Sequence, residues 1–125
     1  MTNIKLLIID DEVEFATTLC QRLQLRDFDA TCVHSGGEGL AVLNEIEPEV
    51  VILDLKMPDM DGLDVLEKIK EHDQSIEVIL LTGHGFAGSG VEAMEKGAFD
   101  YLMKPVYLNE LLDKINAANE KHSKA

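Results

Sequence analysis

Runs of aliphatic residues alternate with amphipathic stretches along almost the whole chain. The runs predict five strands, at residues 4–9, 30–34, 50–54, 77–81 and 99–103. The third and fourth runs each contain four consecutive aliphatic residues, which is typical of parallel strands that helices cover on both faces. A helix could give the third run as well, but Pro58 and Gly62 follow it too closely.

Between the strands, apolar residues recur at spacings of three and four, which predicts an amphipathic helix after each strand. The expected inward-facing residues are Val13, Ala16, Cys20 and Leu23 in the first helix, Leu40, Leu43 and Ile46 in the second, Val65, Leu66 and Ile69 in the third, and Leu108, Leu111, Leu112 and Ile115 in the fifth. Pro48 should close the second helix. We expect the fourth to open with a capping box of Ser89 and Glu92 and to stop at Gly97. This alternation predicts an α/β fold, an open doubly wound parallel sheet with helices on both faces.

Length and composition indicate the number of domains and the class of protein. The chain has 125 residues, of which 46% are hydrophobic and 28% charged, as is typical of one soluble globular domain. We expect a domain over residues 1–120, with residues 121–125 as a polar tail or the start of a linker. No run approaches the roughly 18 apolar residues of a membrane span, and the N-terminus does not resemble a signal peptide. A cytoplasmic location without membrane contact is therefore expected.

The net charge excludes one class of partner. The chain carries 24 acidic and 11 basic side chains, a formal charge of −13, which repels polyphosphate backbones. We therefore expect no direct nucleic-acid binding by this domain. Cys20 and Cys32 lie in a predicted helix and a predicted strand, and we expect them to be small buried hydrophobes, not a disulfide or a metal pair.

Polar residues follow four of the predicted strands. Asp10 and Asp11 follow the first strand, Asp54 the third, Thr82 the fourth and Lys104 the fifth. The carboxyl ends of parallel strands meet at one edge of a sheet, where ligands of such folds bind. Three carboxylates in one crevice repel each other unless a cation joins them, and Mg²⁺ is the natural occupant of an all-oxygen site.

Phosphoryl transfer is the chemistry that this set of residues indicates. An aspartate beside a divalent ion can act as a nucleophile toward phosphorus and form an acyl phosphate. Asp54 is the candidate nucleophile. Thr82 could donate a hydrogen bond to one phosphoryl oxygen, and Lys104 a charge-assisted contact to another.

Each of these residues also has a simpler interpretation. Asp11 with Glu14, or Asp61 with Asp64, could cap the helix that follows. Thr82 could be an ordinary strand-end residue and Lys104 a solvated cation. Asp59 and Asp61 are interpreted in this simpler way, as loop or capping residues. The coincidence of suitable residues at four strand ends favours the site.

The motifs resemble those of a known family, the receiver domains of two-component response regulators. The resemblance covers residues 4–119 and rests on the acidic pair at 10–11, on residues 54–58 with Gly62, on residues 81–83 and on residues 97–105. It implies a flavodoxin-like five-stranded sheet of order 2-1-3-4-5. It also implies a signalling switch that accepts a phosphoryl group from a histidine kinase or phosphotransfer protein. Such a domain catalyses only its own modification and is not a conventional enzyme.

The resemblance assigns a role to each site residue by position. Asp54 is implied to be the phosphoacceptor, with Thr82 and Lys104 in contact with the phosphoryl group. The implied Mg²⁺ ligands are Asp10, Asp11, Asp54 and the main-chain carbonyl of Lys56. The bond before Pro105 is expected to be cis.

The resemblance also implies how the switch reaches a partner. Tyr101 matches an aromatic position that moves with Thr82, and the output face consists of the fourth helix, the fifth strand and the fifth helix. The implied partners are an effector domain or downstream protein, or a second copy that binds on phosphorylation. Lys56 and His84 are expected to border the site and to set how fast water removes the phosphoryl group.

One connection departs from the commoner members of the family. Four glycines lie between the fourth strand and the fourth helix or in its expected first turn, at positions 83, 85, 88 and 90. They indicate either mobility or ordinary turn chemistry.

Three rival functions can be compared with this interpretation. A flavin or nucleotide module would need a phosphate-cradling first loop, which Asp10, Asp11 and Glu12 oppose. A metal-dependent phosphatase would carry an acid where Lys56 stands. A phosphorylation-independent interaction domain would be expected to lack one of the site residues.

Overall fold

A parallel sheet forms the centre of the molecule, for which a computed structural model describes residues 3–83 and 86–124. The strands are β1 (Lys5–Ile9), β2 (Asp29–Val33), β3 (Val50–Asp54), β4 (Glu77–Thr82) and β5 (Asp100–Met103). They pair in the order β2-β1-β3-β4-β5, and every pairing is parallel. The predicted five strands and their order are confirmed.

Helices cover both faces of this sheet. They are α1 (Val13–Gln24), α2 (Gly36–Ala41), α3 (Leu43–Ile46), α4 (Gly62–His72), α5 (Phe86–Glu95) and α6 (Leu108–Ser123). Alternate strand residues such as Leu6 and Ile8 pack with α1 and α6, whereas Leu7 and Ile9 pack with α3, α4 and α5. Because both faces are buried, the central strands have no polar face, which explains the aliphatic runs.

Two of the helices differ from prediction. The predicted second helix is two segments, α2 and α3, separated at Val42, so the predicted fourth and fifth helices are α5 and α6. Helix α5 begins at Phe86, and the capping box predicted at Ser89 and Glu92 is therefore wrong. The glycines at 88 and 90 lie inside this helix because propensity is only a weak influence on a segment that packs against the core. Gly97, with a φ of 102°, ends α5 as predicted.

One residue of α1 also departs from prediction. Val13 is exposed, so its predicted place in the core is wrong, because it is the first residue of α1 and lies past the strand ends. The other predicted inward residues of α1 are buried. Helix α6 continues to Ser123, into the predicted polar tail. Cys20 is buried and Cys32 half-buried, and neither forms a disulfide. None of the described helices is long and apolar enough to cross a membrane.

Candidate functional site

Four strand ends meet at one edge of the sheet, which we call the carboxyl edge. Asp10 follows β1, Asp54 ends β3, Thr82 ends β4, and Lys104 follows β5. The parallel pairing of β1 with β3, β3 with β4, and β4 with β5 brings these ends side by side. The structure therefore brings together these four of the residues that the sequence singled out.

Two aspartates are buried at the carboxyl edge. Asp10 is 0% exposed and Asp54 is 7% exposed. Asp10 Oδ1 accepts a hydrogen bond of 2.9 Å from the main-chain N–H of Glu12, and Asp54 Oδ1 accepts one of 3.4 Å from that of Lys56. Within the described residues, Asp10 Oδ2 accepts no well-directed hydrogen bond. The cluster therefore contains a buried acceptor oxygen that the protein itself does not fully satisfy.

The ammonium group of Lys104 partly neutralises the charge of these acids. Lys104 Nζ lies 2.5 Å from Glu12 Oε1, 2.9 Å from Asp10 Oδ2 and 3.9 Å from Asp54 Oδ2. The Asp10 contact is an ion pair without good hydrogen-bond geometry. The ring of Phe15 lies 4.6 Å from the same Nζ. One lysine is thus shared by three carboxylates, and the cluster keeps an excess of negative charge.

This arrangement makes Asp54 hard to ionise. Burial raises the pKa of Asp54 to about 7, the Asp10 charge adds to the rise, and Lys104 and the Lys56 N–H oppose it. The neighbouring Asp11 side chain raises this pKa further. An added cation at the cluster would favour the ionised form.

The donor atoms fit such a cation. Carboxylate oxygens of Asp10, Glu12 and Asp54 lie within 4.8 Å of one another, and hard divalent ions such as Mg²⁺ prefer oxygen ligands. The sequence prediction missed Glu12, although a third acid directly after the acidic pair was a visible signal. Asp11, which was predicted as a ligand, is half-buried and is outside this set of three.

Gly62 shapes the loop that follows Asp54. Its N–H donates a 3.0 Å hydrogen bond to the carbonyl oxygen of Leu55. A Cβ at this position would lie 2.4 Å from that oxygen, which no side chain tolerates. Lys56 and Asp61 form an isolated antiparallel bridge in the same loop. The close approach that only glycine allows therefore holds the main chain of Lys56 beside the acidic cluster.

The acids near this loop have structural contacts of their own. The Asp61 side chain accepts a 2.9 Å hydrogen bond from Leu63 N–H and caps α4, as predicted. Asp59 accepts hydrogen bonds of 3.1 Å from Gly36 N–H and 3.0 Å from Gly37 N–H, which lower its pKa. Asp59 thus fastens the loop to the start of α2, a long-range contact that the sequence did not indicate.

The alternative in which Asp11 caps α1 is wrong. The residue at the cap position is Glu12, and its side chain makes no hydrogen bond to the first turn of the helix. The side chain of Asp11 is instead close to Asp54.

The remaining predicted residues lie on β4, β5 and the loop after β5. Thr82 is buried, and its hydroxyl donates a 3.4 Å hydrogen bond to the Gly83 carbonyl oxygen. The N–H of Lys104 donates to the carbonyl oxygen of Thr82 at 2.8 Å, and the bond between Lys104 and Pro105 is cis, as expected. Tyr101 is partly exposed on β5. His84 lies outside the described residues.

Comparison with known proteins decides between the families that share this fold. A sequence model described as "Response regulator receiver domain" matches residues 6–116. The chain belongs to this family. The chemotaxis protein CheY of Listeria monocytogenes is 34% identical over 116 residues, which cover 92% of this chain and 98% of that protein.

Other relatives of this receiver domain are longer. The regulatory protein AtoC of Escherichia coli is 38% identical over 112 residues, and LuxO of Vibrio cholerae is 34% identical over 117. These matches cover 89% and 94% of this chain but only 24% and 26% of the relatives, so the chain spans about a quarter of their length. A CheY-like receiver domain from Methanospirillum hungatei has a TM-score of 0.93 with 29% identity, covering 98% of both chains.

The receiver-domain assignment settles the class of function. Receiver domains are the phosphorylation switches of two-component systems and act as regulators, not as conventional enzymes. Nothing in the comparisons supports a flavin-binding or nucleotide-binding module. The acidic cluster also fits the metal site that a receiver domain uses.

Proposed function

We propose that Asp54 is the phosphoacceptor of this receiver domain. The observation that carries the proposal is the buried pairing of Asp54 with Asp10 beside the shared ammonium of Lys104. Other acids nearby have structural partners, since Asp59 and Asp61 accept main-chain hydrogen bonds at helix starts. Asp54 combines burial at a strand end with a cationic partner for an incoming phosphoryl group.

The proposed donor is a phosphohistidine of a histidine kinase or phosphotransfer protein. An ionised Asp54 oxygen attacks phosphorus, the new O–P bond forms as the P–N bond breaks, and the leaving imidazole takes up a proton. The product is an acyl phosphate. The Thr82 hydroxyl donates to one phosphoryl oxygen and Lys104 Nζ to another. The domain catalyses this change, and its reversal by water, only on itself.

The proposed metal ligands are Asp10, Asp11, Asp54 and the main-chain carbonyl of Lys56, with Mg²⁺ as the ion. When bound, Mg²⁺ would neutralise charge on the transferring oxygens. Three observations support the assignment: a set of close carboxylate oxygens that includes those of Asp10 and Asp54, the surplus of carboxylates over ammonium groups, and the unsatisfied Asp10 Oδ2.

The proposed output surface is the face formed by α5, β5 and α6. When Thr82 moves toward the phosphoryl group, the Tyr101 side chain would change its position as well. This movement would shift the equilibrium between two conformations of the face. This face carries exposed apolar side chains, which suit contact with a protein partner. They are Val91, Met94, Met103 and Tyr107. The occupant is an effector domain, a downstream protein or a second phosphorylated copy, whereas the net charge of −13 opposes nucleic acid.

Phosphorylation by acetyl phosphate tests the acceptor. With Mg²⁺ present, the protein should gain one phosphoryl group that hydroxylamine removes, as read by intact mass. Asp54→Ala should gain none, whereas Asp29→Ala, which removes an exposed carboxylate on β2, should react like the parent. Labelled Asp54→Ala protein would contradict the assignment.

A second experiment tests the coupling. Thr82→Ala should still accept the phosphoryl group but should fail to shift the output face. The measurement is the change in amide NMR signals of residues 91–114 on phosphorylation. Changes as large as those of the parent would place the coupling elsewhere.

A further inference from the structure

Glu12 is a third carboxylate at the cluster that the proposed metal ligands and phosphoryl contacts leave without a role. It lies between β1 and α1, and its side chain is 62% exposed. Its Oε1 lies 2.5 Å from Lys104 Nζ, nearer than any atom of Asp10 or Asp54 comes. The strongest partner of the shared ammonium is therefore the most exposed of the three acids.

The main chain of Glu12 is fixed on both sides. Its N–H donates to Asp10 Oδ1 at 2.9 Å, and its carbonyl oxygen accepts from Ala16 N–H at 2.9 Å. A side chain at this position, directly before a helix, commonly accepts a hydrogen bond from the first helical turn. The Glu12 side chain makes no such bond. It is directed to Lys104 instead.

This contact determines where the ammonium group lies. Glu12 accepts a hydrogen bond from Lys104 Nζ, and the ring of Phe15 flanks the same group. The contact with Asp10 lacks hydrogen-bond geometry, and Asp54 Oδ2 is 3.9 Å away. The ammonium is thus held beside Glu12, within 2.9 Å of Asp10 Oδ2 but beyond hydrogen-bond distance of Asp54 Oδ2.

We propose that Glu12 is a positioning residue that holds the Lys104 ammonium away from Asp54 and so keeps it out of the cation position between Asp10 and Asp54. The proposal rests on the Mg²⁺ site of the proposed function. Without the Glu12 charge, the attraction of the two aspartates is unopposed, and Lys104 moves inward. A lysine in that place competes with a divalent ion for the same oxygens.

The test is a double-mutant cycle on Mg²⁺ affinity, measured by calorimetry without any phosphodonor. The proteins are the parent, Glu12→Gln, Lys104→Met and the double variant. We expect Glu12→Gln to weaken Mg²⁺ binding roughly threefold to tenfold when Lys104 is present and less than about twofold in the Lys104→Met background. The second value is small because an exposed carboxylate acting alone is well screened.

Glu14→Gln is the matched control. It removes the same charge from the first turn of α1, but Glu14 is not one of the carboxylates within ion-pair distance of Lys104. Its Mg²⁺ affinity should equal that of the parent within twofold. Far-ultraviolet circular dichroism of each variant checks that the fold is retained.

Two results would overturn the positioning role. Equal weakening by Glu12→Gln in both backgrounds would make Glu12 a direct partner of the ion, and no weakening with Lys104 present would leave Glu12 without influence. Either result, with normal phosphorylation of the parent, overturns this proposal alone. A parent that binds no Mg²⁺ overturns the metal site and this proposal together.

Discussion

Both edges of the sheet bury carboxylates beside lysines, but the balance of charge is opposite. At the carboxyl edge, Asp10, Asp54 and Glu12 share the ammonium of Lys104. At the opposite edge, which we call the amino edge, Glu77 begins β4 and is 3% exposed. Glu77 has two basic neighbours, Lys121 at 3.6 Å and, by charge attraction, Lys70, which Asp73 also attracts. Within the described residues, Glu77 Oε1 accepts no hydrogen bond, as is also true of Asp10 Oδ2.

Two basic side chains of the amino edge also contact main-chain carbonyl groups. Lys70 Nζ donates to the carbonyl oxygens of Gln74 and Ile76 at 2.7 and 2.8 Å, which closes the end of α4. His122 Nδ1 lies 2.6 Å from the carbonyl oxygen of Ser75 and anchors the end of α6. Among the described residues, Glu77 thus has two lysines near it, whereas Asp10, Asp54 and Glu12 share one. Burial of an acid therefore does not identify a site unless basic partners are too few.

The largest expected effect distinguishes a buried acid of the carboxyl edge, Asp54, from the buried acid Glu77 of the amino edge. Asp54→Asn should abolish phosphorylation by acetyl phosphate, because the attacking carboxylate is gone. Glu77→Gln, an equally conservative change at the amino edge, should keep the initial rate within about twofold. Intact mass spectrometry during the reaction measures both. Loss of phosphorylation in a folded Glu77→Gln protein would end the distinction between the edges.

The second prediction concerns stability against pH in the absence of divalent ions. The pKa of Asp54 is raised from 3.8 to about 7 in the folded protein, so between these values the folded state binds more protons than the unfolded state. Stability should therefore fall as pH rises from 4 through 7. Asp54→Asn should remove this dependence and raise the free energy of unfolding at pH 8, by at most about 4 kcal/mol.

Urea unfolding of the parent and Asp54→Asn at pH 5 and pH 8, with EDTA present, measures the effect. Mg²⁺ should restore part of the stability of the parent at pH 8, because a ligand that binds only the folded state stabilises it. Parent stability that rises from pH 5 to pH 8 in step with Asp54→Asn would contradict the raised pKa.

The third prediction compares two acids with similar hydrogen bonds at opposite edges. Asp59 accepts from the N–H groups of Gly36 and Gly37, and Asp73 accepts from the N–H and hydroxyl of Ser75. Replacement of either by Ala should lower the urea midpoint. Only Asp59→Ala should slow phosphorylation several-fold, because only Asp59 fixes the loop that carries Lys56. Equal rates for Asp59→Ala, Asp73→Ala and the parent would limit Asp59 to stability.

The sequence predicted the features that depend on local pattern. Strands such as β3 and β4 are recognisable because burial of both faces removes every polar position. The site residues are recognisable because each comes directly after an aliphatic run, and parallel strands place such positions together. Asp61 was identified as a cap because its acceptor role is satisfied two residues away, at Leu63.

Features that depend on tertiary contacts were not predictable in this way. The hydrogen bonds that Asp59 accepts from Gly36 and Gly37 join residues 23 and 22 positions apart. The direction of the Glu12 side chain depends on where Lys104 arrives, 92 positions later. The early start of α5 contradicts local propensity, because glycines at 88 and 90 favour a loop when the surrounding structure is unknown.

The smallest expected effect is that of replacing Lys121 at the amino edge. Lys121 lies 3.6 Å from Glu77 Oε1, but its side chain is 62% exposed, so water screens the pair. Lys121→Met should therefore lower the free energy of unfolding by about 0.5 kcal/mol or less. Lys124→Met, which removes a lysine paired with exposed Glu120, is the control and should change nothing measurable in urea. A loss well above 1 kcal/mol for Lys121→Met would mean that Glu77 depends on one lysine as closely as Asp10 and Asp54 depend on Lys104. In that case Lys70 would not stabilise the Glu77 carboxylate when Lys121 is absent, and the contrast between the two edges would no longer hold.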